Sequence, residues 1–259
     1  MSTLARYKLP LQPAPEPVLL AVNQGVRSAS FEPVQDAQKV LGGAQAPANG
    51  VCRDPQGRVR ITCVTDMPGV TPAMIDWWFG WHLPFTERYA LWHPTAHVRS
   101  VVKEDRSHVI DDRGKYIGNV SYVDEYIGAS LKRLAIAFVP PSLFGLNQLD
   151  ARHATAICAY TSDWLMRGEG GCLVHYVLPT AKGSQMRSAF WLGEIRHHHA
   201  LVDQALHGVL NSRLVRRLIV SDRMALDLLQ HCGEEMNHLA RFLPSLYADM
   251  NPLERSMLA

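Results

Sequence analysis

The sequence predicts an α+β fold in which an antiparallel sheet wraps around one long C-terminal helix. Three observations predict it. Residues 221–243 carry a single apolar stripe at helical spacing. Ahead of them lie several runs in which apolar and polar residues alternate, the signature of half-buried strands. The strands come first and the long helix last, which is segregation rather than βαβ alternation. A curved sheet around a buried helix leaves a cavity between them, and such cavities usually hold small molecules.

The helix is the most informative element. Ser221 supplies an N-cap, and Asp222 suits the positive end of the helix dipole. Met224, Leu228, Leu229, Cys232, Met236, Leu239 and Leu243 recur at helical spacing. The stripe through Met224 and Leu228 continues into His231, Glu235, Leu239 and Phe242, so a His and a Glu at i and i+4 share an otherwise apolar face. Two readings follow. Such a pair is an ordinary ion pair if it reaches solvent. If buried, its carboxylate needs a partner, and the two side chains can grip one metal ion. Glu234 and His238 form a second i,i+4 pair on a different face, read as solvated.

Residues 1–50 hold prolines at 10, 13, 15 and 17 and the run GGAQAPANG, and read as an N-terminal arm or small subdomain ahead of a main domain at 51–259. Asp54–Gly57 is a turn, and the alternation of Val59, Ile61 and Cys63 with polar residues marks a strand. Thr71 caps a helix with Pro72 in its first turn, whose Ile75, Trp77, Trp78, Phe79 and Trp81 read as core or pocket wall. In RYALWHPTAHVRSV, Pro94 separates His93 from His97, and His97 opens a strand. Asp111–Gly114 reads as a hairpin turn. Val123, Glu125 and Ile127 share one strand face, so Glu125 either needs a cation or is a surface Glu. Residues 131–139 and 153–160 are further strands, and 167–171 a loop. His175 lies between Leu173 and Val177 on an apolar strand face, either as a hydrogen-bonded core residue or as a reactive one. Residues 187–193 are the last strand. Consecutive His197, His198 and His199 cannot all face one ion and read as a loop or helix start. Residues 200–219 are helical, with Arg213, Arg216 and Arg217 on a solvated face, and Pro244 ends the long helix before a short tail.

Composition narrows the function. The chain has 259 residues, is 47% hydrophobic and 19% charged, and carries a net charge of +2. No long charged run points to nucleic acid or an anionic membrane. Five scattered cysteines without a CxxC pair argue against a disulfide framework or a thiolate zinc site. The apolar run at 17–22 is too short for a signal or a span, so the expected compartment is the cytoplasm. No P-loop, GxGxxG, GxSxG or HExxH motif occurs. His97, Glu125, His175, His231 and Glu235 are the groups that could meet in the cavity. A donor set of imidazoles and carboxylates suits Zn²⁺, with Fe²⁺ second.

Five segments carry a family resemblance: VTPAMIDWWFGWH (70–82), RYALWHPTAH (88–97), DEYIG (124–128), RSAFWLG (187–193) and HCGEEMNHLARFLPSLY (231–247). In this order they resemble the 2,4-diacetylphloroglucinol hydrolases and phloretin hydrolases. The resemblance implies a helix-grip, Bet v 1-like fold with a small N-terminal extension, a possible homodimer, and hydrolysis of the carbon–carbon bond between an acyl group and a phenolic ring. It implies Zn²⁺ held by His97, Glu125, His231 and Glu235, with His93 the alternative to His97. It places Tyr89 and His175 in the substrate pocket, His175 as the general acid–base. Phe190 stands where a pocket Tyr is expected and Ser100 where an Asn is expected, which points to a different acyl phenol substrate. Three other functions fit parts of the pattern. A non-catalytic polyketide or phenol binder needs neither Glu125 nor Glu235. A cyclase of the same fold needs no metal. An Fe²⁺ β-diketone oxygenase needs O₂.

Overall fold

The computed structural model describes residues 4–147, 149, 153–163, 168–197 and 200–251. The chain begins with α1 (Glu16–Gln24), β1 (Val26–Ser28), α2 (Ala37–Leu41), β2 (Gly50–Arg53) and β3 (Val59–Pro68). Then come α3 (Pro72–His82), α4 (Thr86–Trp92), β4 (His97–Val102), α5 (Asp112–Tyr116), β5 (Val120–Ile127) and β6 (Ser130–Val139). The strands β7 (Thr155–Asp163), β8 (Gly168–Thr180) and β9 (Gly183–His197) complete the sheet, and α6 (Ala200–Leu210) and α7 (Arg213–Ile219) lead into α8 (Asp222–Met250).

The nine strands form one sheet in the order β1-β2-β3-β9-β8-β7-β6-β5-β4. β4 to β9 run as consecutive antiparallel neighbours, and β9 closes back onto β3. The one parallel pair in the described sheet is β1 with β2 at its edge. The 29-residue α8 packs against β2, β3 and β5. Its Leu229, Cys232, Met236, Leu239 and Leu243 are fully buried, as the apolar stripe predicts. This is the helix-grip arrangement, a sheet closed around one terminal helix. Among the described residues no helix is long and apolar enough to cross a membrane.

The caps are local. Ser221 accepts the amide of Met224 and Thr71 that of Met74, each satisfying a donor the helix leaves free. Trp77, Trp78 and Phe79 of α3 are buried, with Trp78 against Trp92 of α4 and Phe242 of α8. The N-terminal residues join the same core: Val18 and Ala21 of α1 are buried, Tyr7 packs on Phe242, and the Gln12 amide donates to His238 Nδ1.

Several local expectations give way to tertiary context. Asp111–Gly114 is not a hairpin turn, because the Asp111 carboxylate takes the Gly114 amide at 2.8 Å and caps α5 instead. Pro244 does not end α8, which runs on to Met250. A helix-interior proline costs ~3 kcal/mol, and full burial of Leu243 and Leu246 on either side offsets it. Residues 168–171 belong to β8, with a bulge between Glu169 and Gly171 absorbing the glycines, and Arg167 lies outside the described residues. His197 ends β9, while His198 and His199 also lie outside the described residues. Arg216 is only partly solvated, since its guanidinium donates to the carbonyls of Gly193 and Gln56. Of the Glu234–His238 pair, His238 is not solvated and Glu234 is half-buried. Residues 10–14 cover that face of α8, His238 is fully buried, and Glu234 turns to His93 and Gln230.

Gly233 lets α1 lie close on α8. A Cβ there would stand 2.9 Å from Val18 Cγ1 and 3.1 Å from Ala14 Cβ. Gly233→Val should therefore lower unfolding free energy by ~1–3 kcal/mol through overpacking, despite the better helix propensity of valine. Urea unfolding measures this, and an unchanged midpoint would show that α1 moves aside freely.

Candidate metal centre and cavity

The sheet and α8 enclose a cavity of about 260 Å³. Phe79, Val123, Leu134, Phe138, Leu173 and Phe190 give it an apolar wall. Glu125, Tyr89, His231, Glu235 and His175 also face it. The alternation on β5 puts Val123, Glu125 and Ile127 on the buried face, so Glu125 is an interior carboxylate, only 8% exposed.

Three elements converge at one end. β4 brings His97, β5 brings Glu125 directly opposite it in the ladder, and one turn of α8 brings His231 and Glu235. One donor atom each from His97, His231 and Glu235 lies within 4.8 Å of the others. His97 Nε2 stands 2.9 Å from Glu235 Oε1 and 3.8 Å from Glu125 Oε2, and His231 Nε2 stands 3.5 Å from Glu235 Oε1. Yet neither Nε2 has an aligned hydrogen-bond partner, although both are buried. The donors aim at a shared point rather than at one another. The other nitrogen of His97 faces the Tyr89 carbonyl at 3.1 Å, which fixes Nδ1 as the protonated one and leaves the Nε2 lone pair free. These residues fit a zinc-type ion with imidazole and carboxylate ligands. His93 is not part of the group. Its Nε2 meets Glu234 at 3.2 Å, and its ring stacks on His231 at 4.7 Å.

The surroundings hold this geometry. Tyr89 stacks on the His97 ring at 3.8 Å and donates its hydroxyl to Glu125. Trp92 Nε1 donates to the Glu235 carbonyl at 3.1 Å. A bulge between His97 and Arg99 breaks the β4 alternation, so that Ser100 is buried on the same side as His97. Ser100 nevertheless points elsewhere. Its Oγ donates to the Leu83 carbonyl at 2.7 Å, and it is not among the residues lining the cavity. Phe190 does line the cavity, edge-on to His175. His175 Nδ1 shares a 2.8 Å hydrogen bond with Ser188 Oγ.

Charge separates the buried histidines. Burial pushes His175 down to about 4 and His82 down to about 3, so both are neutral near pH 7. Burial works against a charged His231 too, but the Glu235 carboxylate beside it lifts it to about 9. Glu235 itself, despite its burial, is held below the usual carboxylate range by His231 and His97. Burial, reinforced by Glu125, keeps the Tyr89 hydroxyl protonated. Sequence reasoning passed over His82, Trp92 and Ser188. His82 and Trp92 lie inside motifs already noted for their aromatic content, and Ser188 shows itself only through the β8–β9 register that sets it opposite His175.

Fold and site define a helix-grip protein whose apolar cavity ends in a buried histidine–carboxylate cluster. The DAPG hydrolase PhiG domain matches residues 31–248, and the chain belongs to that family. It is 29% identical over 196 residues to the 2,4-diacetylphloroglucinol hydrolase of Pseudomonas protegens, a match covering 70% of this chain but 62% of that protein. It is 28% identical to the phloretin hydrolase of Eubacterium ramulus, covering 94% of this chain and 88% of that protein. Among solved structures it is similar to Ara h 8.0201, with a TM-score of 0.42 and 11% identity, over 72% of this chain and 99% of that one.

The neutral histidines make stability acid-sensitive. In the unfolded chain each ring takes up a proton near pH 6.5, whereas His175 and His82 in the folded chain resist protonation down to about 4 and about 3. The unfolded state then binds more protons, so their contribution is intact above pH 6.5 and is lost progressively as pH falls towards 3–4. Calorimetry should show Tm at pH 5 lower than at pH 7 by about 5 °C or more. A flat Tm over that interval would mean that the folded protein protonates these rings freely.

Proposed function

We propose that this protein is a Zn²⁺-dependent hydrolase that cleaves the carbon–carbon bond between an acyl group and a phloroglucinol-like ring. The observation that carries this reading is the convergence of His97, His231 and Glu235 on one point at the end of an apolar cavity, in a family whose relatives are named for hydrolysis of diacetylphloroglucinol and phloretin. Glu125, opposite His97, is the fourth ligand in this reading. The five free thiols agree with action in a reducing cytoplasm.

The overall reaction adds water across the bond, giving the ring with a hydrogen in place of the acyl group and a carboxylic acid. Zn²⁺ supplies Lewis acidity toward the acyl carbonyl and the attacking water. The chain's own groups do the rest. The aromatic and aliphatic wall takes up the ring and excludes bulk water. The ring must gain a proton at the acyl-bearing carbon before that carbon can leave as a stabilised enolate. His175 suits this transfer as a relay, a neutral base that takes the phenolic proton and returns it to the ring carbon, because it faces the cavity and Ser188 orients its Nδ1. Tyr89 is fixed by Glu125 and stays neutral, so it holds the carboxylate in place rather than acting as a base. Glu125 and Glu235 accept no proton from substrate while they serve as ligands.

Two experiments test this reading. The protein as purified should contain about one zinc per chain by elemental analysis, lose hydrolysis of an acylphloroglucinol on chelation and regain it with Zn²⁺. Glu235→Gln should lose metal and activity together, by more than the ~10–100-fold typical of an outer-shell change. Full activity in that variant would remove α8 from the site. In the second, Phe190→Tyr restores a hydroxyl to the cavity wall and should raise relative kcat/KM for acetylated phloroglucinols by roughly tenfold. An unchanged ratio would show that this position does not read the ring.

A further inference from the structure

A second chamber lies behind the metal centre, and His231 lines both. This outer chamber, of about 320 Å³, is polar: His93, Thr95, Asp227, Gln230 and Glu234 face it. It opens to solvent between exposed Thr95, Arg223 and Tyr126. At its inner end Glu234 Oε2 lies 3.2 Å from His93 Nε2, and Gln230 donates to Glu234 Oε1 at 2.8 Å. Arg223 is the cation at the rim, and its charge is taken up by Asp227 at 2.9 Å, which leaves Glu234 with His93 and Gln230 as its partners rather than an Arg or Lys. From there the imidazoles form a path inward. The His93 ring stacks on His231 at 4.7 Å, and His231 lies 5.5 Å from His97.

We propose that this polar chamber is the port through which a divalent cation enters and leaves the His97–His231–Glu235 cluster. The proposal rests on that cluster being a metal site. A hydrated dication sheds water only where oxygen and nitrogen donors replace it. The apolar cavity offers hydrocarbon along most of its wall, with Lys132 and Asp163, charges of opposite sign, among its lining residues. The outer chamber offers carboxylate and imidazole donors that can be exchanged one at a time. Glu234 and His93 pass the ion to His231, whose Nε2 is buried without a hydrogen-bond partner. Substrate and metal then reach the cluster from two chambers that share His231, so the metal can be loaded without crossing the apolar chamber.

The test is the rate of Zn²⁺ uptake by the metal-free full-length protein, and of Zn²⁺ loss to a chelator, beside the equilibrium affinity. Glu234→Gln removes the charge in the port, and Thr95→Trp narrows its outer opening without touching charge. Each should slow both uptake and loss by roughly tenfold, the lower end of electrostatic guidance, while affinity changes much less. Met224→Trp, which narrows the apolar cavity instead, should leave both rates as they are. Wild-type rates in both port variants, or slowing by Met224→Trp alone, would overturn the port. So would a Glu234→Gln variant that takes up Zn²⁺ at the normal rate and only loses it faster, because His93 and Glu234 would then merely hold His231 in position. A wild-type protein that binds no divalent cation would overturn the metal reading itself, a result separate from any difference among rates.

Discussion

The fold depends on keeping two carboxylates and two imidazoles inside a hydrocarbon interior. Glu125 and Glu235 are each 8% exposed, His97 stands between them, and His231 stands beside Glu235. An unpaired carboxylate at such a site is far too costly to persist. The groups come from β4, β5 and α8, so their mutual compensation requires the sheet edge and the terminal helix to meet in one register. One residue of slip on β5 would turn Glu125 to solvent and bring Asp124 or Tyr126 inward. A one-residue shift on α8 would rotate His231 and Glu235 by about 100° away from the cavity. The apolar packing supplies the bulk of the stability, and the polar cluster selects the register in which that packing occurs.

The aromatic elements α3 and α4 secure that register from the side. Trp92 reaches across to the Glu235 carbonyl, Tyr89 lies flat on His97, and Trp78 bridges α4 and α8. These rings bury large areas while contributing few rotatable bonds, so they hold the donors with little entropy to lose. The N-terminal residues do the same on the far side of α8, where Gln12 takes up His238 Nδ1 and Val18 lies over Gly233. Positioning of the donor cluster is therefore distributed along the described residues, from Gln12 to Phe242.

Period and chemistry made much of this legible in the sequence. The apolar stripe of α8 put His231 and Glu235 on one face, and the alternation of β5 put Glu125 with Val123 and Ile127 while leaving open which face is buried. Strand-then-helix order gave a sheet wrapped around one helix, and the family resemblance made it a helix-grip fold. What stayed hidden depends on long-range contacts. The covering of the Glu234–His238 face requires residues 10–14, more than 220 positions away. The bulge that buries Ser100 beside His97 is a register shift against β5, invisible to strict alternation. The persistence of α8 through Pro244 is decided by the burial of its neighbours, not by local propensity. His93 and His97 could not be ranked by spacing. Geometry separates them, one against Glu234 and the other against Glu235.

The buried histidines show how one variable controls the chemistry. His82 and His175 lose their charge to burial, whereas His231, equally buried, is driven the other way because a carboxylate stands beside it. For these three rings a carboxylate alongside, not depth alone, decides the sign. Two carboxylates concentrated beside two imidazoles hold negative charge that a dication balances directly and that a proton on His231 balances only in part. In the proposed reaction this balance matters beyond stability. With the charge of the cluster neutralised, the apolar cavity beside it can hold a phenolic ring without two bare carboxylates opposing the build-up of enolate charge. His175, kept uncharged by the same hydrocarbon wall, faces the cavity apart from the cluster, which is why the proposed reaction assigns proton transfer to it.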